Sequence, residues 1–78
     1  MNDSKMEINH FGTKCWFNLN GRIHRENGPA VIQNDGSSFW YVNDKHHRID
    51  GPSNDYVRGR KYWYIKDQFI REFKYDQV

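Results

Sequence analysis

The amino-acid sequence predicts a small all-β domain of antiparallel β-hairpins in repeated units of about 23 residues. Three observations predict this fold: the composition, a set of motifs at fixed spacing, and evenly spaced turn residues. The chain has 78 residues, which is room for one domain. It contains one alanine and one leucine, whereas asparagine, aspartate and glycine together number 21. Because strong helix formers are scarce and turn formers abundant, a helical bundle is excluded.

A repeat organises the chain. A gapless shift by one unit aligns residues 17–39 with residues 40–62. Six pairs are identical in this alignment: Asn20/Asn43, His24/His47, Arg25/Arg48, Gly28/Gly51, Pro29/Pro52 and Gly36/Gly59. A partial unit, residues 6–16, precedes them, and a partial unit with a cap, residues 63–78, follows. The sequence therefore predicts a single repeat domain over residues 1–78, since stacked units bury a core between neighbours.

Turn residues divide the units into short extended segments, at intervals of seven or eight residues. The turn pairs are Gly12-Thr13, Asn20-Gly21, Asn27-Gly28, Asp35-Gly36, Asn43-Asp44, Asp50-Gly51, Arg58-Gly59 and Lys66-Asp67. Asn-Gly and Asp-Gly pairs tolerate the positive φ angles that two-residue hairpin turns require. The segments between them are expected to be strands, with Pro29 and Pro52 at strand starts, where a missing N–H is tolerated.

Aromatic residues supply most of the apolar surface of these strands, at 17% of the chain. Alternation predicts one buried apolar row, formed by Phe17-x-Leu19, Trp40-x-Val42 and Trp63-x-Ile65. The opposite face also carries rings, namely Trp16, Phe39, Tyr62, Tyr41 and Tyr64. Two interpretations remain open: a two-sided core closed by curvature or by the terminal segments, or an exposed aromatic ladder that serves as an interface.

The last segment, residues 67–75, departs from the repeat. Phe69 and Phe73 are four residues apart and Asp67 is a suitable helix N-cap, so a short closing helix fits the sequence. A final strand fits it equally well. Either would cap the stack, because repeat arrays need atypical ends.

These residues resemble the MORN repeat, whose units are of the same length. More closely, they resemble the MORN-like variant WYxNGxxHRxDGPA of small proteins from bacteriophages and large DNA viruses. Its motif stands here at residues 40–53 and, in part, at residues 20–30, and the resemblance covers about residues 12–71. The sequence departs from the standard MORN repeat at Arg25 and Arg48, where Gly usually follows the His, and at the added prolines.

The resemblance implies stacked β-hairpins and a binding module that is not an enzyme. It further implies a small phage-type protein that binds and inhibits a host protein, with a defence protein as the expected target. Its location would then be the host cytoplasm. Unpaired strands at both ends of the stack predict a homodimer.

The alternative function is a sponge or reader of a small anionic nucleotide, or of nucleic acid. Arginine forks would hold phosphates and tyrosine rings would stack on bases. The candidate binding residues are Arg25, Arg48, Tyr41, Arg60, Lys61, Tyr62 and Tyr64. A structural interpretation competes with this one. In it, the His-Arg pairs satisfy carbonyl groups of neighbouring turns, and residues 58–64 are a solvated turn followed by a core strand.

Other classes of function have little support in the sequence. The net charge of +2 is only mildly basic. The single Cys15 excludes an intrachain disulfide and is expected to be a buried structural thiol. His46 and His47 are adjacent in a predicted strand and would point to opposite faces, which disfavours a shared metal ion. No cofactor, metal, catalytic residue or membrane span is therefore expected, and the chain is expected to be cytoplasmic.

Overall fold

The computed structural model describes residues 5–73, which form an antiparallel all-β fold. The strands are β1 Lys5–Ile8, β2 Lys14–Phe17, β3 Val31–Ile32, β4 Ser38–Phe39, β5 Tyr41–Val42, β6 Lys45–His46, β7 Asn54–Asp55, β8 Lys61–Ile65 and β9 Gln68–Phe73. The predicted all-β class is confirmed. The segment after Asp67 forms strand β9 and no helix through Phe73, while residues 74 and 75 lie outside the described part.

Seven strands form one sheet in the order β1-β2-β3-β4-β7-β8-β9, and β5 pairs with β6 in a separate hairpin. Every pairing is antiparallel. The molecule measures 44 × 28 × 15 Å, so it is a thin slab with little interior. Residues 5–73 contain no helix long and apolar enough to cross a membrane.

Positive φ angles occur at six of the eight predicted turns, at Gly12, Gly21, Gly36, Asn43-Asp44, Gly59 and Lys66-Asp67. In the β5–β6 and β8–β9 hairpins both central residues have positive φ, from 50° to 69°, as a type I′ turn requires. The prediction is wrong for Asn27-Gly28 and Asp50-Gly51. Neither glycine has positive φ, and each lies in a bend. At both positions the glycine instead leaves room for an arginine side chain.

The core is small and partly polar. Among residues 5–73, the buried hydrophobic side chains are Ala30 and Phe39, and the buried polar ones are Ser37, Ser53 and Asn54. Ser53 takes the position of Ala30 in the following unit, and both are fully buried. Its Oγ accepts the N–H of Tyr64 at 3.0 Å. A hydroxyl therefore satisfies a backbone donor that would otherwise lack a partner in the interior.

The predicted buried row is wrong at Leu19, which is 84% exposed, and at Ile65, which is 37% exposed at the end of β8. Strand β2 ends at Phe17, and Leu19 lies in the turn that follows it. The side-chain Oδ1 of Asn18 accepts the N–H groups of Asn20 and Arg22 and holds this turn, so strand alternation no longer applies to Leu19.

Most rings on both faces are half-buried. They form neither a closed two-sided core nor a fully exposed aromatic ladder, the two arrangements that the sequence left open. The half-buried rings are Trp16, Phe17, Trp40, Tyr41, Tyr62, Trp63 and Tyr64. Phe39 is buried, and its ring meets Tyr56 edge-on at 5.2 Å. Tyr56 in turn meets Tyr62 edge-on at 5.8 Å. We call Phe39, Tyr56 and Tyr62 the Phe-Tyr cluster.

Candidate functional site

Each candidate arginine of the His-Arg pairs stacks on a tryptophan. The guanidinium carbon lies close to the centre of an indole ring in three successive units: Arg25 over Trp16 at 4.0 Å, Arg48 over Trp40 at 4.0 Å, and Arg71 over Trp63 at 4.5 Å. A guanidinium at this distance is attracted by the negative face of the ring. The positive charges predicted to hold phosphate are thus already engaged within the chain.

The same arginines also hold backbone carbonyls. Nη1 of Arg25 donates to the carbonyl of Pro29 at 3.1 Å, and Nη1 of Arg48 donates to that of Pro52 at 3.2 Å. Arg48 also donates from Nε to the carboxylate of Asp50 at 3.0 Å. These bonds confirm, for the guanidinium groups, the structural interpretation in which carbonyl groups are satisfied once per unit.

This packing explains Gly28 and Gly51. A Cβ atom at Gly28 would lie 2.9 Å from Cζ of Arg25, and one at Gly51 would lie 2.7 Å from Cζ of Arg48. Such distances are too short for non-bonded carbon atoms, which pack at about 3.5–4.0 Å. Each guanidinium therefore packs against both an indole ring and a glycine, and a Cβ atom at the glycine would displace it.

The histidines of the pairs tie neighbouring units together. Nδ1 of His24 accepts the N–H of Asn43 at 3.1 Å, and Nδ1 of His47 accepts the N–H of Lys66 at 3.1 Å. The imidazole thus accepts from an amide of the next hairpin turn, whereas the sequence predicted a bond to a carbonyl. Because Nδ1 is the acceptor, a neutral ring carries its proton on Nε2.

Two aspartates complete the link between units. Oδ1 of Asp44 accepts the N–H of Ile23 at 2.7 Å, and the N–H of Asp44 donates to the carbonyl of Ile23 at 2.8 Å. Asp67 makes the same two bonds with His46, at 2.7 and 2.8 Å. We call the His and Asp bonds to one turn the turn clamp. It occurs at residues 43–44 and again, one unit later, at residues 66–67.

Tyr41 and Tyr64 lie on either side of His46. The ring centroids are 4.3 Å apart for Tyr41 and His46, and 5.3 Å apart for His46 and Tyr64. Phe69 extends the row, with its centroid 5.7 Å from that of Tyr64. Burial lowers the pKa of His46, while Asp67 and a hydrogen bond with Asn54 oppose part of this effect. Burial also raises the pKa of Tyr41.

The other candidate binding residues lie elsewhere. Nζ of Lys61 forms an ion pair with the carboxylate of Asp55 at 2.7 Å. Tyr62 belongs to the Phe-Tyr cluster, and Arg60 is exposed in the turn before β8. The structure therefore brings Tyr41 and Tyr64 together around His46 but does not gather the seven candidates into one site. Their role in binding stays a prediction.

Two open grooves were not anticipated from the sequence. The larger, of about 600 Å³, lies between the His-Arg pairs and is lined by Arg25, Glu26, Asn27, Trp40, Val42, His47, Arg48, Ile49 and Asp50. The smaller, of about 390 Å³, is lined by Arg22, Val42, Asn43, Lys45, His47 and Lys66. We call the smaller one the basic groove. One sequence signal pointed to it: Arg22 and Lys45 are cations at equivalent positions of successive units.

Cys15 is half-buried in strand β2. Burial raises the pKa of its thiol, and the negative charge of Glu7 raises it further. The thiolate, which is the reactive form, is therefore disfavoured at neutral pH. Within residues 5–73 no group of three or more His, Cys, Asp or Glu side chains is arranged as metal ligands would be.

Comparison with known proteins gives no relative: no protein-family model, curated protein or solved structure matches the chain. The resemblance to MORN-like repeats therefore rests on the motif in the sequence.

The stacking of Arg48 predicts the effect of Gly51→Ala. The added methyl group displaces the guanidinium from Trp40 and from the carbonyl of Pro52. Losing one partly exposed cation–π contact and one hydrogen bond lowers the free energy of unfolding by about 1–2 kcal/mol. Urea denaturation measures this change.

A double-mutant cycle supplies the control. In an Arg48→Ala background the methyl group meets no guanidinium, so Gly51→Ala should cost almost nothing, because φ at residue 51 is not positive. An equal cost of Gly51→Ala in both backgrounds would contradict this account.

The burial of His46 predicts a pH-dependent stability. Its pKa is lower in the folded chain than in the unfolded chain, where it is about 6.5. The unfolded chain thus binds the proton more readily. The contribution of His46 is complete above a pH of about 6.5 and is lost as the pH falls below that value.

His46→Phe separates this contribution from those of the other histidines. Phenylalanine occupies the equivalent position at Phe69, so the aromatic row is kept. The free energy of unfolding, measured by urea denaturation at several pH values, should fall less steeply between about pH 7.5 and 5.5 in the variant than in the native chain. Parallel profiles for the two proteins would refute the assignment.

Proposed function

We propose that this chain is a non-enzymatic binding module that captures an extended segment of a protein partner along strand β9. One observation carries the proposal. Strand β9 lies at the end of the seven-stranded sheet, and all six of its residues are exposed. The proposal agrees in class with the resemblance to MORN-like phage proteins, from which a host defence protein is the expected partner.

Strand β9 is apolar as well as exposed. Phe69 is 56% exposed, Ile70 is 53% exposed and Phe73 is 44% exposed. Ile70 follows Phe69 directly, so apolar side chains project from both faces of the strand. Soluble proteins usually protect such an edge with charged residues or proline. Strand β9 has two charged residues, Arg71 and Glu72, and the guanidinium of Arg71 stacks on Trp63. The exposed apolar side chains beside them favour a surface that a partner covers.

An added strand is the interaction that this edge supports best. The outer N–H and C=O groups of an edge strand can pair with an extended peptide, and side chains on alternate faces supply specificity. Six residues of strand span about 20 Å, which allows several backbone hydrogen bonds. The expected partner segment is therefore extended, with apolar residues that meet Phe69, Ile70 and Phe73.

The contacts within the chain favour a protein partner over a nucleotide at the candidate arginines. Arg25 and Arg48 each combine an indole stack with a bond to a carbonyl, and Lys61 is paired with Asp55. A phosphate would have to compete with these contacts. The raised pKa of Cys15 likewise disfavours a nucleophilic role for its thiol.

Two matched substitutions test the proposal. Ile70→Ser removes an apolar side chain from β9, and Ile8→Ser removes one from β1, the strand at the opposite end of the sheet. The two isoleucines are exposed to similar extents, 53% and 57%. Immobilised native protein should retain a partner from a bacterial lysate. Ile8→Ser should retain the same partner, while Ile70→Ser should retain at least about fivefold less, since an apolar anchor contributes more than about 1 kcal/mol.

Circular dichroism first confirms that both variants are folded. Equal retention by the native chain and Ile70→Ser, or no retained protein at all, would overturn the proposal. The predicted homodimer is the competing use of the same edge. If β9 pairs with a second copy, light scattering shows a dimer that Ile70→Ser converts to a monomer, and a lysate partner would then have no free edge to bind.

A further inference from the structure

We infer that the basic groove binds an anion of the phosphate class, a phosphate or diphosphate group carried by a small molecule. The inference does not depend on the protein-binding function of β9. The groove lies among hairpin turns and not along the outer edge of the sheet. None of its charged residues belongs to the seven predicted from the sequence.

The charge of the groove has one sign. Its lining residues include Arg22, Lys45 and Lys66, together with His47, and no carboxylate. Its volume of about 390 Å³ lies in the usual range for small-molecule sites, about 300–1,000 Å³. Three positive charges around one concave surface repel each other. An anion of high charge density relieves that repulsion.

Repetition of the fold brings these cations together. Arg22 and Lys45 each follow the last residue of a hairpin turn, Gly21 and Asp44, in successive units. Lys66 takes the turn position that Asn43 holds in the preceding unit, and both have positive φ. Adjacent turns pack through the turn clamp, so side chains that are distant in the sequence line one groove.

The cations of the groove are available to a ligand. Within residues 5–73, neither Arg22, Lys45 nor Lys66 forms an ion pair. All three residues are exposed at the surface of the slab. Arg48 and Lys61, in contrast, are each paired with a carboxylate.

Neighbouring acidic residues are committed elsewhere. Asp44 and Asp67 adjoin Lys45 and Lys66 in the sequence, but neither lines the groove. Each carboxylate accepts a backbone N–H at 2.7 Å, from Ile23 and His46 respectively. Each carboxylate is thus held in the turn clamp, and the charged side chains that line the groove itself are those of Arg22, Lys45 and Lys66.

His47 adds an oriented donor. Its Nδ1 accepts the N–H of Lys66, so the neutral ring carries its proton on Nε2. The side chain is half-buried and is held in place by that bond. An N–H donor beside flexible lysines and an arginine fork is a donor set that suits phosphate oxygens.

The chain itself supplies mild substitutions to test the groove. Lys66→Asn installs the residue found at the equivalent position 43, which has the same positive φ. Lys45→Gln installs the residue found at the equivalent position 68. Each removes one positive charge without new strain. Lys14→Gln removes the same charge from an exposed position of strand β2, outside the groove, and is the matched control.

Titration with pyrophosphate at low ionic strength, by calorimetry and by amide chemical shifts, tests the inference. The native chain should bind, with shifts centred on Asn43, Lys45 and His47. Lys45→Gln and Lys66→Asn should each weaken binding about three- to tenfold, and Lys14→Gln by less than about twofold. Affinity should fall as salt rises, since part of the attraction is screened.

Two further arms identify the source of the group. Inorganic phosphate and a nucleoside diphosphate are titrated beside pyrophosphate. Similar affinity for pyrophosphate and the nucleoside diphosphate shows recognition of the phosphates alone. Tighter binding of the nucleoside diphosphate shows that its nucleoside part makes contacts as well. If none of the three ligands binds, the inference is wrong. Equal weakening by all three substitutions would overturn it too, because it would show only diffuse attraction to a basic protein.

Discussion

The structure depends on the bonds that hold each hairpin turn against the preceding unit. A slab 15 Å thick with two buried hydrophobic side chains among its described residues cannot be held together by its core alone. The turn clamp supplies additional bonds that hold successive units together. A histidine Nδ1 and an aspartate carboxylate accept N–H groups across the boundary between two units, and the same distances recur in the following unit.

The arginine next to each clamp histidine adds a second set of contacts. Its guanidinium packs against an indole ring and a glycine and donates a hydrogen bond to a proline carbonyl. The backbone N–H of Arg25 donates to the carbonyl of Tyr41, and the backbone N–H of Arg48 donates to the carbonyl of Tyr64. A His-Arg dipeptide therefore joins contacts in two directions. This explains why the pair recurs without any ligand.

The sequence predicts the strands better than the site. Periodicity and turn residues predict β-hairpins because backbone geometry is a local property, and the positive φ of Asn43 and Asp44 follows from their type. The role of Gly51 does not follow from local geometry, because the guanidinium that a Cβ would displace there arrives through side-chain packing. Leu19 departs from the alternation because the side chain of Asn18 ends the strand early.

The candidate site required the three-dimensional structure for a similar reason. Aromatic and basic residues at 58–64 stand together in the sequence, but Lys61 and Tyr62 contact different partners. Conversely, Arg22, Lys45 and Lys66 are far apart in the sequence and meet only because successive turns pack side by side. Cations recurring at the repeat spacing beside turns were the available signal.

Hydrogen exchange at the N–H groups of Asn43 and Lys66 tests the turn clamp most directly. Each is the first central residue of a two-residue turn, whose N–H has no partner within its own hairpin. If His24 and His47 accept these protons, both amides should exchange at least about tenfold more slowly than in an unstructured peptide. His47→Ala should abolish the protection at Lys66 and leave that at Asn43. Exchange of both amides in the native chain at the unprotected rate would contradict the account.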